Sequence, residues 1–175
     1  DIRSDVRIPL ILMGYLNPIM KFGFEAFCQK CVECGIDGVI IPDLPFKDYE
    51  ETYKPIADRY DIRVIMLITP ETSEARVREI DEHTDGFIYM VSSAATTGAQ
   101  KDFDSQKQAY FKKIQDMHLR NPRMVGFGIS NKQTFDAACA NSSGAIIGSR
   151  FVTLLNEAEG DAEKAITQLK EGLKK

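Results

Sequence analysis

Six short runs of almost unbroken apolar residues constrain this chain more than any other feature. They occupy residues 8–13, 38–41, 64–68, 86–91, 123–126 and 145–147. They are not built on alternation, as a strand with one wet face would be. Near-continuous apolar strands belong in parallel sheets covered on both faces. Between them lie amphipathic segments at 24–33, 48–59, 73–82, 105–118 and 131–140, and two more, 151–156 and 161–172, follow the last run. Run starts recur at roughly 22 to 37 residues, the size of a βα unit. Alternating strands and helices with short connections make a parallel sheet, open or closed into a barrel.

Local punctuation agrees. Gly35 stops the segment that begins at Phe24. Pro70 cannot continue the third run. Thr72 or Ser73 is placed to cap the helix after it. No linker, repeat or low-complexity stretch interrupts the series, so residues 1–175 read as a single domain.

Composition narrows the function classes. A net charge of -4 argues against an electrostatic grip on nucleic acid. No apolar run approaches the roughly 20 residues that span a bilayer. The first residues, Asp1-Ile-Arg-Ser-Asp-Val-Arg7, carry no Met and no cap and read like the tail of a helix. A fragment or a processed product is the expectation.

Four cysteines are present, and Cys28, Cys31 and Cys34 are spaced by three. The spacing resembles a metal ladder. It also puts the thiols on one side of the 24–33 helix, where Cys packs as a small hydrophobe. No His or further Cys completes a site, so a buried helix face is the expectation and no metal is assigned. Reduced thiols fit a cytoplasmic chain.

In either α/β architecture a ligand lies at the C-terminal ends of the strands. The residues found there are Tyr15, Asn17 and Pro18; Asp43; Thr69, Glu71 and Thr72; Ser92, Ser93, Thr96, Thr97 and Gly98; Gly126, Gly128 and Ser130; and Gly148 and Ser149. Neither His83 nor His118 is among them; both fall near helix ends. No Lys follows a strand in a Schiff-base position. Asp43, flanked by two prolines, is the carboxylate set at a strand end by this pattern. It reads either as a base or orienting acceptor, or as the N-cap of the helix that follows.

The ends of the fifth and sixth runs carry a paired signal. Gly126-Phe-Gly-Ile-Ser130 and Gly144-Ala-Ile-Ile-Gly-Ser149 each end a strand in Gly and Ser, and each precedes a helical segment. Two such turns aim backbone N–H groups and two helix N-termini at one point, which suits a phosphate. Residues 92–102 form a small, polar loop longer than the roughly 2–6 residues of a simple βα connection, as lids often are.

These residues carry a family resemblance. Pro9-Leu-Ile-Leu-Met-Gly-Tyr-Leu-Asn-Pro-Ile19, Gly38-Val-Ile-Ile-Pro-Asp-Leu-Pro45, Gly86-Phe-Ile-Tyr89, Thr97-Gly98 and the two glycine turns resemble, in order, the tryptophan synthase alpha chain. The resemblance implies an α/β fold, a (β/α)8 TIM barrel, with about six of its eight βα units in this chain, the third to the eighth. It implies cleavage of indole-3-glycerol phosphate to indole and glyceraldehyde 3-phosphate. It also implies a beta-subunit partner in a heterotetramer. Pyridoxal phosphate would belong to that subunit, and no cofactor to this chain.

By the same resemblance, Gly98, Phe127, Gly128, Gly148 and Ser149 fall on phosphate-binding positions. Tyr89 falls behind the indole ring, and Thr97 on a lid residue that engages the catalytic aspartate. Tyr15, Asn17 and Asp43 fall near the pocket or facing the beta subunit. The family's glutamate and aspartate would lie in the first two βα units, outside these residues, so no catalytic carboxylate is assigned beyond a possible orienting role for Asp43. Ala95 and Thr96 depart from the usual lid motif. Arg150 replaces a small residue beside the phosphate turn, either adding a cation or pointing outward. Rival readings are another phosphate-binding barrel, such as a sugar-phosphate epimerase, and a non-catalytic partner of the beta subunit.

Overall fold

The computed structural model describes residues 2–92, 105–126 and 128–174. Within them the chain divides into two compact units. One comprises Asp1–Leu67 with Ser73–Ile88; the other comprises Ile68–Thr72 with Tyr89–Lys175.

The first unit opens with a 3-10 turn, Ile2–Ser4, rather than the tail of a helix. Arg3 holds this turn down. Its guanidinium donates to the carbonyls of Gly35 and Ile8 and pairs with Asp37. Strand β1 (Ile11–Met13) pairs in parallel with β2 (Gly38–Ile40), and β2 with β3 (Arg63–Ile65), in the order β1-β2-β3. The register sets Ile11 opposite Gly38 and Gly38 opposite Arg63. Gly38 is needed there, because a Cβ would stand 2.7 Å from the Arg63 carbonyl oxygen.

Strand β2 is buried at all three residues, as a parallel strand covered on both faces should be. Strand β1 is not: Leu12 and Met13 are 43% and 55% exposed. The expectation of two-sided burial fails at this strand. It is the edge of its sheet, with a single hydrogen-bonded neighbour among the described residues.

Helix α1 (Leu16–Phe22) meets α2 (Phe24–Glu33) at Gly23, whose φ of 97° turns the chain sharply between them. In α2, Phe24, Cys28 and Cys31 are buried at the i, i+4, i+7 spacing of one helical face. Two of the three spaced cysteines, Cys28 and Cys31, are therefore core packing, while Cys34, at the C-cap of α2, is exposed and departs from the expected buried face. Phe24 meets Tyr53 edge-on with ring centroids 4.7 Å apart. Helix α3 (Phe46–Asp48) runs through a π-helical stretch, Tyr49–Tyr53, into α4 (Lys54–Arg59).

The run at 64–68, which reads as one strand in the sequence, is two. Strand β3 ends at Ile65 and β4 is Leu67–Ile68, with Met66 between them. They belong to different sheets. Continuous burial through Met66 hides the break from hydropathy alone. Helix α5 (Glu74–His83) follows, with Ser73 as its N-cap accepting from the Arg76 N–H. Thr72 instead folds back, accepting from the Thr69 N–H at 2.9 Å.

The second sheet has the order β4-β5-β6-β7, with β5 at Ile88–Val91, β6 at Arg123–Gly126 and β7 at Gly144–Ala145. Every residue of β5 is buried. Helix α6 (Ser105–Asp116) sets Phe111 and Ile114 into the core. Helices α7 (Lys132–Cys139), α8 (Ser149–Glu157) and α9 (Ala162–Gly172) follow. The last two pack through Leu154, Ala158 and Ala165, with Phe151 and Leu169 beside them. Asp161 caps α9 by accepting from the Lys164 N–H at 3.0 Å.

Candidate phosphate site at the ends of β6 and β7

Strands β6 and β7 run parallel, with Met124 opposite Gly144 and Val125 opposite Ala145. The Ile146 N–H extends the pairing to the Val125 carbonyl at 2.7 Å. Both strands therefore deliver their C-terminal ends to the same edge. Gly128 follows β6 there, and Gly148 and Ser149 follow β7; all three are exposed. Gly128 has φ 76°, the left-handed region that favours glycine.

The two helices after these turns differ, which corrects the expectation of two open N-termini. Helix α7 begins four residues past Gly128 and closes its own end. Asn131 Oδ1 accepts from the Thr134 N–H at 2.9 Å, and Thr134 Oγ1 accepts from the Asn131 and Ser130 N–H groups. That reciprocal capping box uses the donors an anion would need. Helix α8 has no such closure. Its N-cap is Gly148, which has no side chain to cap with, and Ser149 is its first residue. A Cβ on Gly148 would meet nothing within 4 Å. Gly148 and Ser149 are exposed and no side chain caps this end, where the helix dipole favours negative charge. Arg150 lies beside this end, but its guanidinium runs toward Glu157 on the same helix, 3.8 Å away.

Tyr89 lies on β5 with 5% of its surface exposed. Burial pushes its phenol pKa above the ordinary value. Its ring occupies the space that a side chain at Gly126 would need: a Cβ there would stand 2.0 Å from the phenol oxygen. Gly126, read from sequence as part of the phosphate turn, is thus also the seat of Tyr89. A glycine closing a buried strand, with an aromatic on the neighbouring strand, is the signal for that role. Ser92, just past β5 and 2% exposed, donates its N–H to the Gly126 carbonyl at 3.2 Å.

Gly98, Thr97 and Phe127, with Ala95 and Thr96, lie outside the described residues. Tyr15 belongs to the first unit and is 68% exposed. It is the N-cap of α1 without a side-chain bond. Asn17 and Pro18 are in the first turn of that helix.

Asp43 does not cap the helix that follows it. That N-cap is Pro45, with no side-chain hydrogen bond. Asp43 Oδ1 accepts instead from the Leu16 N–H, at 2.8 Å. It ties the loop after β2 to the start of α1, where the first amides of a helix lack intrahelical partners.

Both histidines are exposed, as their placement near helix ends suggests. His83 is the last residue of α5 and pairs with Glu50. His118 follows α6 with φ 51°. No group of three or more metal-ligating side chains occurs among the described residues, and none of the described helices is long and apolar enough to cross a membrane.

With this geometry in place, the likeness to known proteins is informative. The family model described as tryptophan synthase alpha chain matches residues 1–175. The tryptophan synthase alpha chain of Bacteroides fragilis is 80% identical over 170 residues, covering 97% of this chain and 64% of that protein. The chain therefore spans under two-thirds of the length of that curated relative. The solved tryptophan synthase A-subunit of Pyrococcus furiosus superposes with a TM-score of 0.85 at 28% identity, over 98% of this chain and 68% of that one. A tryptophan synthase complex from the same organism matches with a TM-score of 0.83 at 26% identity, over 98% of this chain and 68% of that chain. The fold is accordingly of the α/β TIM-barrel class, with part of the barrel's βα units in this stretch.

Proposed function

This chain belongs to the tryptophan synthase alpha chain family, and from that premise we propose that it serves a lyase of tryptophan biosynthesis. The reaction is retro-aldol cleavage of indole-3-glycerol phosphate to indole and glyceraldehyde 3-phosphate. The bond between indole C3 and the glyceryl carbon breaks. A base takes the glyceryl hydroxyl proton as the carbonyl forms, and an acid returns a proton to C3. Two carboxylates of differently tuned pKa suit that task.

What this stretch contributes is binding. Gly128, Gly148 and Ser149 hold the phosphate with peptide N–H groups, joined by Gly98 and Phe127. Tyr89 backs the indole ring. Thr97 belongs to the lid, and Tyr15 to the pocket rim. Asp43 orients the loop before α1 rather than transferring a proton. The acid and base carboxylates belong to βα units outside these 175 residues, which themselves make up the third to eighth units of one domain. The partner is a tryptophan synthase beta subunit, which carries the pyridoxal phosphate, and the setting is cytoplasmic.

The observation that carries this reading is the uncapped N-terminus of α8 beside the left-handed Gly128 turn, on adjacent parallel strands. Anions bind such ends because unpaired amides and the helix dipole act together. The test is to mix the purified chain with indole-3-glycerol phosphate, following binding by calorimetry and indole by absorbance. Binding without indole release is expected. Indole release by this stretch alone, or no binding at all, would overturn the assignment.

A further inference from the structure

We propose that Cys31 and Cys34 form a thiol–disulfide exchange pair at the C-terminal end of α2, in which Cys34 meets a low-molecular-weight disulfide from solvent and Cys31 resolves the adduct. The inference does not rest on the phosphate-site reading.

Each cysteine has what its part requires. Cys34, the C-cap of α2, is exposed, whereas Cys31 is 2% exposed. A reagent in solvent therefore reaches Cys34 first. The backbone holds the two residues one helical turn apart. The Cys34 N–H donates to the Lys30 carbonyl at 3.0 Å, so helical spacing extends through Cys34. Beyond it the Gly35 N–H returns to the Val32 carbonyl at 2.9 Å, and the Ile36 N–H to the Cys31 carbonyl at 2.8 Å. That is a Schellman ending, with Gly35 at φ 69° as its left-handed residue. Arg3 holds the same turn by donating to the Gly35 carbonyl. Three residues of α-helix separate two Cα atoms by about 5 Å, inside the range a disulfide spans. Cβ atoms on successive turns stand about 5–6 Å apart, wider than in a relaxed disulfide. Closure must draw them together at the end of the helix, and a bond formed under such strain is readily reduced. Burial pushes the Cys31 pKa up, and Cys34 adds to the rise, so the two thiols feel each other's charge. Cys28, a turn earlier, is 0% exposed and no solvent reagent loads it.

The chemistry is two exchanges. The Cys34 thiolate attacks one sulfur of a small disulfide RSSR, forming Cys34–S–SR and releasing RS⁻, which takes up a proton. Cys31 then gives up its proton, and its sulfur attacks the Cys34 sulfur. The Cys31–Cys34 bond forms and a second RS⁻ leaves. Two protein thiols are oxidised by two electrons, and one RSSR is reduced to two RSH.

The test treats the reduced 175-residue chain with oxidised glutathione, quenches with acid, alkylates the remaining thiols under denaturing conditions and analyses tryptic peptides by mass. Cleavage after Lys30 and Lys47 puts Cys31 and Cys34 in one peptide and Cys28 in another. The 31–47 peptide should appear lighter by two hydrogens and without alkyl groups, while the Cys28 peptide stays alkylated. The linked form should exceed the Cys34–glutathione adduct by at least about tenfold, because the second exchange is intramolecular. Dithiothreitol should restore the thiols. Cys31→Ser should trap glutathione on Cys34, and Cys28→Ser should leave the linkage unchanged. Where Cys31→Ser does not fold, Cys34→Ser decides: it should abolish both linkage and adduct in this peptide. In the oxidised chain the Gly35 and Ile36 amides should exchange hydrogen faster, since closure disturbs the helix end. A stable glutathione adduct on Cys34 of the unaltered chain with no linked peptide would overturn the proposal. So would glutathione on Cys31 in a folded Cys34→Ser chain, or a Cys28–Cys31 link.

Discussion

The phenol oxygen of Tyr89 stands 2.0 Å from the position of a Cβ on Gly126, and the ring carbons Cζ and Cε1 stand 2.3 and 2.4 Å from it. No side chain at 126 coexists with the ring in this place. Gly126→Ala should displace Tyr89 and destabilise the chain by about 1–3 kcal/mol, the cost of overpacking a filled core. Tyr89→Phe should give no relief, since ring atoms collide as well as the hydroxyl. Tyr89→Val should recover part of the loss in the double variant, a non-additivity expected only of residues in contact. Urea denaturation of the original, the single variants and the double variants checks this, and a Gly126→Ala chain as stable as the original would contradict it.

Asp37 ties the N-terminal segment to the start of β2. Its carboxylate accepts from the Leu10 N–H at 2.7 Å and pairs with Arg3. The Leu10 hydrogen bond first, and then Arg3, hold its pKa below the usual value. A carboxylate depressed in the folded state contributes stability above its unfolded pKa and loses it as pH falls through the folded value. Stability should therefore hold steady above about pH 4 and decline below it. Asp37→Asn should flatten that acid limb in urea melts taken across the range. An identical pH dependence in both proteins would rule the contact out as its source.

The four thiols should react in order of exposure. Cys34, exposed at the end of α2, should label first with an aromatic disulfide reagent, and the half-buried Cys139 more slowly. Cys28 and Cys31 are buried, and burial pushes the Cys28 pKa up to about 11. These two should label only as fast as the chain unfolds, since the thiolate is the reactive form. A raised folded pKa also means that the stability Cys28 contributes is complete below the unfolded thiol value of about 8.5 and is lost as pH rises toward the folded one. Mass spectrometry of partly labelled chain reads the order, and early labelling of Cys28 would contradict it.

Asp43 provides a fourth check. Asp43→Ala removes the acceptor for the Leu16 N–H and should cost about 1 kcal/mol of stability. Asp43→Asn keeps an acceptor oxygen and should cost less. Hydrogen exchange at the Leu16 amide is the local readout: faster in the alanine variant, close to the original in the asparagine variant. If Asp43 capped the following helix instead, exchange would change at residues 46–48 and not at Leu16.

Much of this fold is legible in the sequence, and the gaps have physical causes. Helix α2 is readable to the residue because Phe24, Cys28 and Cys31 mark its buried face and Gly35, at φ 69°, ends it. The two strand-to-helix turns after β6 and β7 are readable because each apolar run closes in glycine, although their register is not. The split at Met66 is not readable, because hydropathy reports burial and not which sheet a strand joins. The exposure of Leu12 and Met13 is hidden for the related reason that an edge strand and a central strand can share one composition. At the site, the two glycine turns look alike in sequence. They differ because Asn131 and Thr134 close α7, in a box that uses Thr where Glu or Gln is usual. Nothing in the composition of β5 announces that Tyr89 needs Gly126, since that contact depends on strand order.

The most direct measurement compares the original chain with Gly148→Asp for glycerol 3-phosphate affinity and for thermal stability. A side chain fits at 148, where a Cβ meets nothing within 4 Å, and φ is an ordinary -109°. The new carboxylate would occupy the first amides of α8 in place of the ligand. Stability should rise by roughly 0.3–1 kcal/mol from the capped helix dipole, while affinity should fall at least about tenfold because the anion site is filled. A Gly148→Asp chain that binds glycerol 3-phosphate as tightly as the original would contradict the assignment of α8 as the phosphate anchor.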